Sequence, residues 1–416
     1  MDKKLLISLI FGILAVIARV AFFVLTPPFL DFFKTNSSIS NSTNSSHPGT
    51  DTRSISVLFL MIGQWAMCLV FAAICVAIQY CFDRQTVVDS HKNYSKIRFL
   101  FIGSAQGIST VLVIYAASGS RTAPYLQAIL GNFTIPIQFT IRFLILRLRP
   151  TCRKLSCAIV VVFAELICLI PTIFPQLENS TAHQDEGGAT GAGRILWPIC
   201  FVSSQIPFAI ANSIMESSVK SNTAGRHVSS MFFLFWFSLA CLSVILLTFW
   251  FDIIPGFGTS DSIKILGERL NFNFKCILGL DGCKTQVALL GWFSFVANTV
   301  GSTSFVFLLR YSEGANFIMI LLCLRTPLAF IFWTLFEEPP LRWAPHTSLS
   351  TWLSIGTIVV MLPAIYIYNT GPPEIYSPSR KRDQDAEPLL DDSLSADQKN
   401  LVNDSPATQN ETDVIT

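Results

Sequence analysis

Apolar residues along this chain of 416 arrive in separate runs of roughly twenty, the length of a helix that crosses the hydrocarbon core of a bilayer. Ten runs are legible, at 4–26, 55–82, 98–118, 123–148, 155–174, 195–216, 227–252, 285–310, 314–336 and 351–370. The longest polar loops between them are 27–54, 175–194 and 253–284, none of which can fold as a soluble domain. The pattern predicts an all-α integral membrane domain over 1–370. After Gly371-Pro-Pro the chain turns polar and loses apolar periodicity, so 371–416 is expected to be a disordered tail. Lys3 and Lys4 precede the first run as in a signal peptide, but the run is longer than an h-region and lacks a small-x-small cleavage site. A signal anchor is the expectation.

The fourth and ninth runs share a pattern. One reads Arg121-Thr-Ala-Pro-Tyr-Leu-Gln-Ala-Ile-Leu-Gly-Asn-Phe-Thr-Ile-Pro136, the other Ser312-Glu-Gly-Ala-Asn-Phe-Ile-Met-Ile-Leu-Leu-Cys-Leu-Arg-Thr-Pro327. Each follows a short hairpin turn, places a proline at the same distance from it and continues into aromatic residues. Five spans plus five put corresponding helices in opposite orientation, the inverted-repeat plan of secondary transporters.

Lys and Arg in the short loops orient the bundle. With the N-terminus in the cytosol, about sixteen of them lie on the cytosolic side against about nine on the other. Both termini are then cytosolic. In this frame the sequons at Asn36, Asn41, Asn44 and Asn179 fall in lumenal loops and are glycosylation candidates. Asn93, Asn132, Asn403 and Asn410 fit the same pattern at inaccessible positions. In the long lumenal loop, Ser260 to Asn271 is amphipathic and expected at the interface. Cys276 and Cys283, near in sequence on the oxidising side, are expected to pair.

Composition narrows the function classes. With 51% hydrophobic and 13% charged residues, the chain lacks the charge to cover a soluble domain. A net charge of +2 and the absence of a basic stripe give no reason to expect nucleic acid. The five His and eleven Cys are scattered, without CxxC or HExxH, so neither a metal site nor a cofactor is expected. Apart from His227 at the very edge of the seventh run no His falls inside a run, and no HxxxxD occurs, which argues against a membrane-embedded enzyme. Ten spans also exclude a heptahelical receptor.

The chemistry is in the polar groups at membrane depth, which face a bundle interior or a water-filled cavity because lipid penalises them. Arg19, Glu165 and Arg325 lie deep in the first, fifth and ninth runs, where a lone charge on lipid would cost roughly 3 kcal/mol or more. Gln106, Gln127, Asn132, Asn212 and Asn298 converge from four other regions. Together these eight are the candidate solute-binding residues, Arg19 and Arg325 holding anionic or zwitterionic groups. Glu165 either meets an ammonium group or a proton, or is a static counter-ion to one of the arginines. The Ser and Thr residues among them read as interhelical contacts.

In the tail, Asp385-Ala-Glu-Pro-Leu389-Leu390 resembles an acidic dileucine sorting signal, which would recruit an adaptor and deliver the protein to endosomes or lysosomes. The ten-span region as a whole resembles the chloroquine-resistance-transporter-like family of the drug/metabolite transporter superfamily. Thr134-Ile-Pro-Ile-Gln, Phe143-Leu-Ile-Leu-Arg-Leu-Arg149, Gln127 and the Arg121-Thr122 turn carry the match. Arg19 falls where the family places a basic residue in the first helix. Asn212 with Glu216 and Lys220 matches the end of its sixth helix, and Cys276 and Cys283 its cysteine-bearing lumenal loop. The chain departs from the malarial member at Gln106 and Val300, where that protein has acidic residues, and Glu165 sits about a turn from the family's acid in the fifth helix. The resemblance implies a carrier of small peptides, amino acids or thiols, exporting from an acidic lysosome-like or vacuolar lumen with protons. Its partners would be a small solute, protons and lipid. Nucleotide-sugar exchange in the Golgi and a non-transporting role are the alternatives.

Overall fold

The computed structural model describes residues 3–40, 55–93, 95–117, 121–122, 124–173, 192–220, 228–254, 257–258, 260, 262–280, 283, 285–337, 342–345, 349–372 and 375–376. The structure is helical throughout, with two short antiparallel pairings, Leu148–Arg149 with Ile375–Tyr376 and Phe336–Glu337 with Arg342–Trp343. Among the described residues, nine helices are long and apolar enough to cross a membrane.

The first half comprises α1 (Lys3–Ser40), α2 (Val57–Phe82), α3 (Arg84–Asn93), α4 (Lys96–Ala117), α5 (Pro124–Gly131), α6 (Thr134–Leu146), α7 (Cys152–Cys168) and α8 (Ile170–Ile173). The second comprises α9 (Gly193–Lys220), α10 (Ser230–Leu247), α11 (Ile263–Ile277), α12 (Thr285–Tyr311), α13 (Ala315–Leu322), α14 (Arg325–Leu335) and α15 (Leu349–Asn369). Against the expected spans, α1 runs on to Ser40, so the first part of the predicted 27–54 loop is helical. The expected fifth span is split between α7 and the single turn α8. It still has to return across the bundle, because α6 and α9 pack with residue numbers rising in the same direction, Thr134 beside Gln205 and Arg142 beside Glu216.

Packing follows small residues. On α4, a Cβ at Gly103 would meet Ala240 and the carbonyl of Phe237, and one at Gly107 would meet Val244. These two glycines, four apart on one face, let α4 lie against the backbone of α10. α1 packs along α12, α2 between α10 and α12, and α7 against α15. Large apolar side chains cover the outside instead: Leu9, Ile13 and Ile17 of α1 and Val359 of α15 are all exposed. Such faces suit acyl chains.

The amphipathic stretch of the long loop forms α11, capped by the Ser262 hydroxyl, which accepts from the Ile265 amide at 3.4 Å. Cys276 and Cys283 are disulfide-bonded, with Cα atoms 5.2 Å apart. The same loop docks on the bundle through buried Asp252, which accepts from Tyr115 Oη at 3.2 Å and Ser260 Oγ at 3.1 Å. Arg121 clamps it from the other side, donating to the carbonyls of Phe257 and Tyr115. Its guanidinium also lies 4.3 Å from the Trp197 ring centroid. Burial lowers the Arg121 pKa from its ordinary value, against the opposing pull of Tyr115 and Asp252.

Candidate functional site

Two of the membrane helices are broken, in the same way. α5 gives way to α6 at Asn132-Phe133, and α13 to α14 at Cys323-Leu324. At the first break the amides of Asn132, Phe133 and Ile135 reach back three residues, to the carbonyls of Ile129, Leu130 and Asn132, and Ile137 reaches back four to Phe133. At the second, Cys323, Leu324 and Thr326 reach back three, to Ile320, Leu321 and Cys323, and Leu328 reaches back four to Leu324. Each break is followed by its proline, Pro136 or Pro327, which has no N–H to continue the ladder. The paired pattern noted between the fourth and ninth runs is therefore matched bond by bond.

Both breaks deliver a side chain to Glu165 of α7. Thr326 Oγ1 donates to Glu165 Oε1 at 2.8 Å. Asn132, with its amide turned to satisfy both groups, donates its nitrogen to Oε2 at 2.7 Å and to Oε1 at 3.1 Å. Glu165 and Asn132 are buried. Helices α6 and α14 begin here without a side-chain cap, so their positive ends add to the field around the carboxyl.

Arg325, the first residue of α14, lies within electrostatic reach of both Glu165 and Arg19. Its guanidinium sits 5.2 Å from the Phe23 ring centroid of α1, and the residue is exposed although it lies within a membrane-spanning stretch. Arg19 donates to Asn298 Oδ1 of α12 at 3.3 Å, and Gly301 keeps that stretch of α12 open to it: a Cβ there would come 3.2 Å from Arg19 Nε. Asn298 Nδ2 and Gln64 Nε2, both buried, have no hydrogen-bond partner among the described residues. Of the eight candidates, then, Asn132 and Glu165 meet, Arg325 stands beside them, and Arg19 pairs with Asn298.

The remaining three are placed differently. Gln127 donates to the carbonyls of Ala117 at 3.2 Å and Thr122 at 2.7 Å, holding the hairpin turn. Gln106 is half-buried on α4. Asn212 joins a polar seam between α6 and α9: it donates to Gln138 at 3.5 Å, Gln138 donates to Ser213 at 3.1 Å, and Thr134 donates to Gln205 at 2.7 Å. The seam ends in an ion pair that sequence reasoning missed. Arg142 donates to both oxygens of Glu216 at 2.7 Å. Glu216 also accepts from Lys220 at 3.3 Å and from the Ala315 amide at 3.0 Å, at the start of α13. A second missed pair joins buried Lys154 to Glu313 at 2.6 Å. One signal for the seam was available, since Thr134, Gln138 and Arg142 recur every four residues along one helix face.

Of the other expected sites, the side chain of Asn36 and all of Asn41, Asn44, Asn179, Asp385, Leu389 and Leu390 lie outside the described residues. No metal-ligand cluster occurs among the described residues.

A family model described as CRT-like, chloroquine-resistance transporter-like, matches residues 56–368. One solved chain, described only as "Crystal structure of protein", is 10% identical over 86% of this chain and 95% of its own, at a TM-score of 0.47. That likeness carries no argument about fold or activity. No curated protein matches the chain.

Proposed function

The chain belongs to the chloroquine-resistance-transporter-like family, and from that premise we propose that it is a secondary carrier working by alternating access. It moves small peptides, amino acids or related thiols out of an acidic organelle with protons. The observation that carries this reading is the convergence of both helix breaks on one buried carboxyl. A carboxyl held by a threonine and an amide, beside the Arg325 guanidinium, can exchange a proton or an ammonium group without leaving its neighbours unsatisfied. The matched breaks support a five-plus-five inverted repeat, in which the two broken helices are equivalent and move against α7 in turn. Arg325 and Arg19 offer the anionic end of a solute its partners, and the unused amide donors of Gln64 and Asn298 add to that positive side. Net positive character favours carboxylate-bearing solutes over polycations.

The test is efflux of a labelled dipeptide from proteoliposomes with an acidic interior, run beside exchange of a labelled nucleotide sugar. Dipeptide efflux that collapses when the pH gradient is dissipated is expected. Nucleotide-sugar exchange without dipeptide movement would assign the chain to the other branch of the superfamily.

A further inference from the structure

Away from Glu165, a cavity of about 760 Å³ lies where α2 ends, between α3, the first turn of α10 and the last turn of α12. In the proposed orientation this is the cytosolic face. Its size is in the range that holds small ligands. The frame around it is fixed by Ser229, the N-cap of α10. The Ser229 amide donates to Ser90 Oγ of α3 at 3.0 Å, and its hydroxyl donates to Gln79 Oε1 of α2 at 2.6 Å.

The polar groups lining the cavity are charged in opposite senses and only partly used. Asp89 of α3 makes no hydrogen bond or ion pair among the described residues. Arg310 of α12 donates once, to Ser230 Oγ at 3.3 Å, and rests 5.8 Å from the Tyr311 ring centroid. The first-turn amides of Ser230 and Met231 belong to a helix N-terminus, where backbone N–H groups lack partners four residues back. Phe307 and Met231 give the cavity an apolar wall.

We propose that this cavity binds a zwitterion, with the anionic end against Arg310 and the first turn of α10, and the primary ammonium against Asp89. A purely anionic ligand would meet Asp89, and a purely cationic one would meet Arg310 and the positive helix end, so the lining selects for both charges on one molecule. Two sources share this chemistry, a free peptide or amino acid and an ethanolamine phospholipid headgroup. The proposal goes beyond the carrier reading and does not need solute flux to be seen.

Cys75 lines the same cavity as a free thiol and reports on its occupancy. The experiment measures N-ethylmaleimide alkylation of Cys75 by mass spectrometry in the full-length protein. Alanyl-alanine is one probe. Nanodiscs of phosphatidylglycerol with and without phosphatidylethanolamine are the other. At about ten times its Kd, at least one source is expected to slow alkylation about tenfold, the factor by which the free fraction of the site falls. Protection should be lost in Asp89→Asn and in Arg310→Gln, and N-acetyl-alanyl-alanine amide should give none. An unchanged alkylation rate for each variant without ligand shows that its fold is intact. Protection by the dipeptide alone or by the lipid alone identifies the source. A Cys75 that does not react, that neither probe protects, or that is protected equally in both variants overturns the site.

Discussion

At the scale of single residues, the deep charges found from sequence alone divide into two kinds. Arg19, Glu165 and Arg325 stood out because they lie deep within apolar runs, and the structure places Arg325 within electrostatic reach of both Glu165 and Arg19. Arg142 and Lys154 did not stand out, because they lie close to the loops where basic residues are expected to reach water. Their partners, 74 and 159 residues away, leave no local trace. Buried pairs of this kind are costly to break from one side. Glu216→Gln removes the negative charge facing Arg142 and should lower stability by about 3–5 kcal/mol, whereas replacing both partners with apolar residues should recover most of that loss. Thermal unfolding of the purified variants in detergent checks both. Thr326→Val removes one hydroxyl from Glu165, and the expected outcome is an altered pH profile of solute efflux with little change in thermal stability. A profile unchanged from wild type would mean that this hydroxyl does not tune the carboxyl.

At the scale of elements, hydrophobic run lengths placed nine of the ten expected spans on long apolar helices among the described residues, and the shared turn-to-proline spacing marked the two helices that break. What the sequence did not carry was where they break. Gly131 precedes the first gap but Leu321-Leu322 precede the second, and a proline alone does not mark a break, since Pro198 and Pro207 lie inside α9 and Pro363 inside α15 without interrupting them. The fifth span was read as one helix because a four-residue end such as α8 leaves no periodic signal. The entry to α13 depends on Gly314, whose φ of 122° belongs to a region that glycine alone occupies readily. A Cβ there would also strike the Glu216 carboxylate that caps α13. Gly314→Ala should therefore destabilise the protein by about 1–3 kcal/mol, read as a fall in Tm. A Tm equal to wild type would mean that the turn relaxes freely and that the cap contributes nothing.

At the scale of the whole molecule, an all-helical membrane fold was legible because lipid leaves backbone groups few other solutions. The likeness of the two broken helices was legible too, because both keep the same residue spacing from turn to proline. Packing of the 253–284 loop was not, since Asp252, Tyr115 and Ser260 meet only through tertiary structure. The proposed orientation rests on charge asymmetry and has a direct check. A reporter fused after residue 416 should be reached from the cytosol in intact cells, and Asn41→Gln with Asn44→Gln should remove a glycosidase-sensitive mass. A lumenal reporter would invert the proposed direction of transport.

In the proposed carrier, Glu165 is the group through which solute and proton movements are linked. The measurement is proton flux, followed with a pH-sensitive dye, when a dipeptide gradient is imposed on proteoliposomes carrying either the wild-type protein or Glu165→Gln. The wild type should move protons with the dipeptide. The variant should still exchange labelled for unlabelled dipeptide but drive no protons. Coupling that survives unchanged in Glu165→Gln would contradict the account.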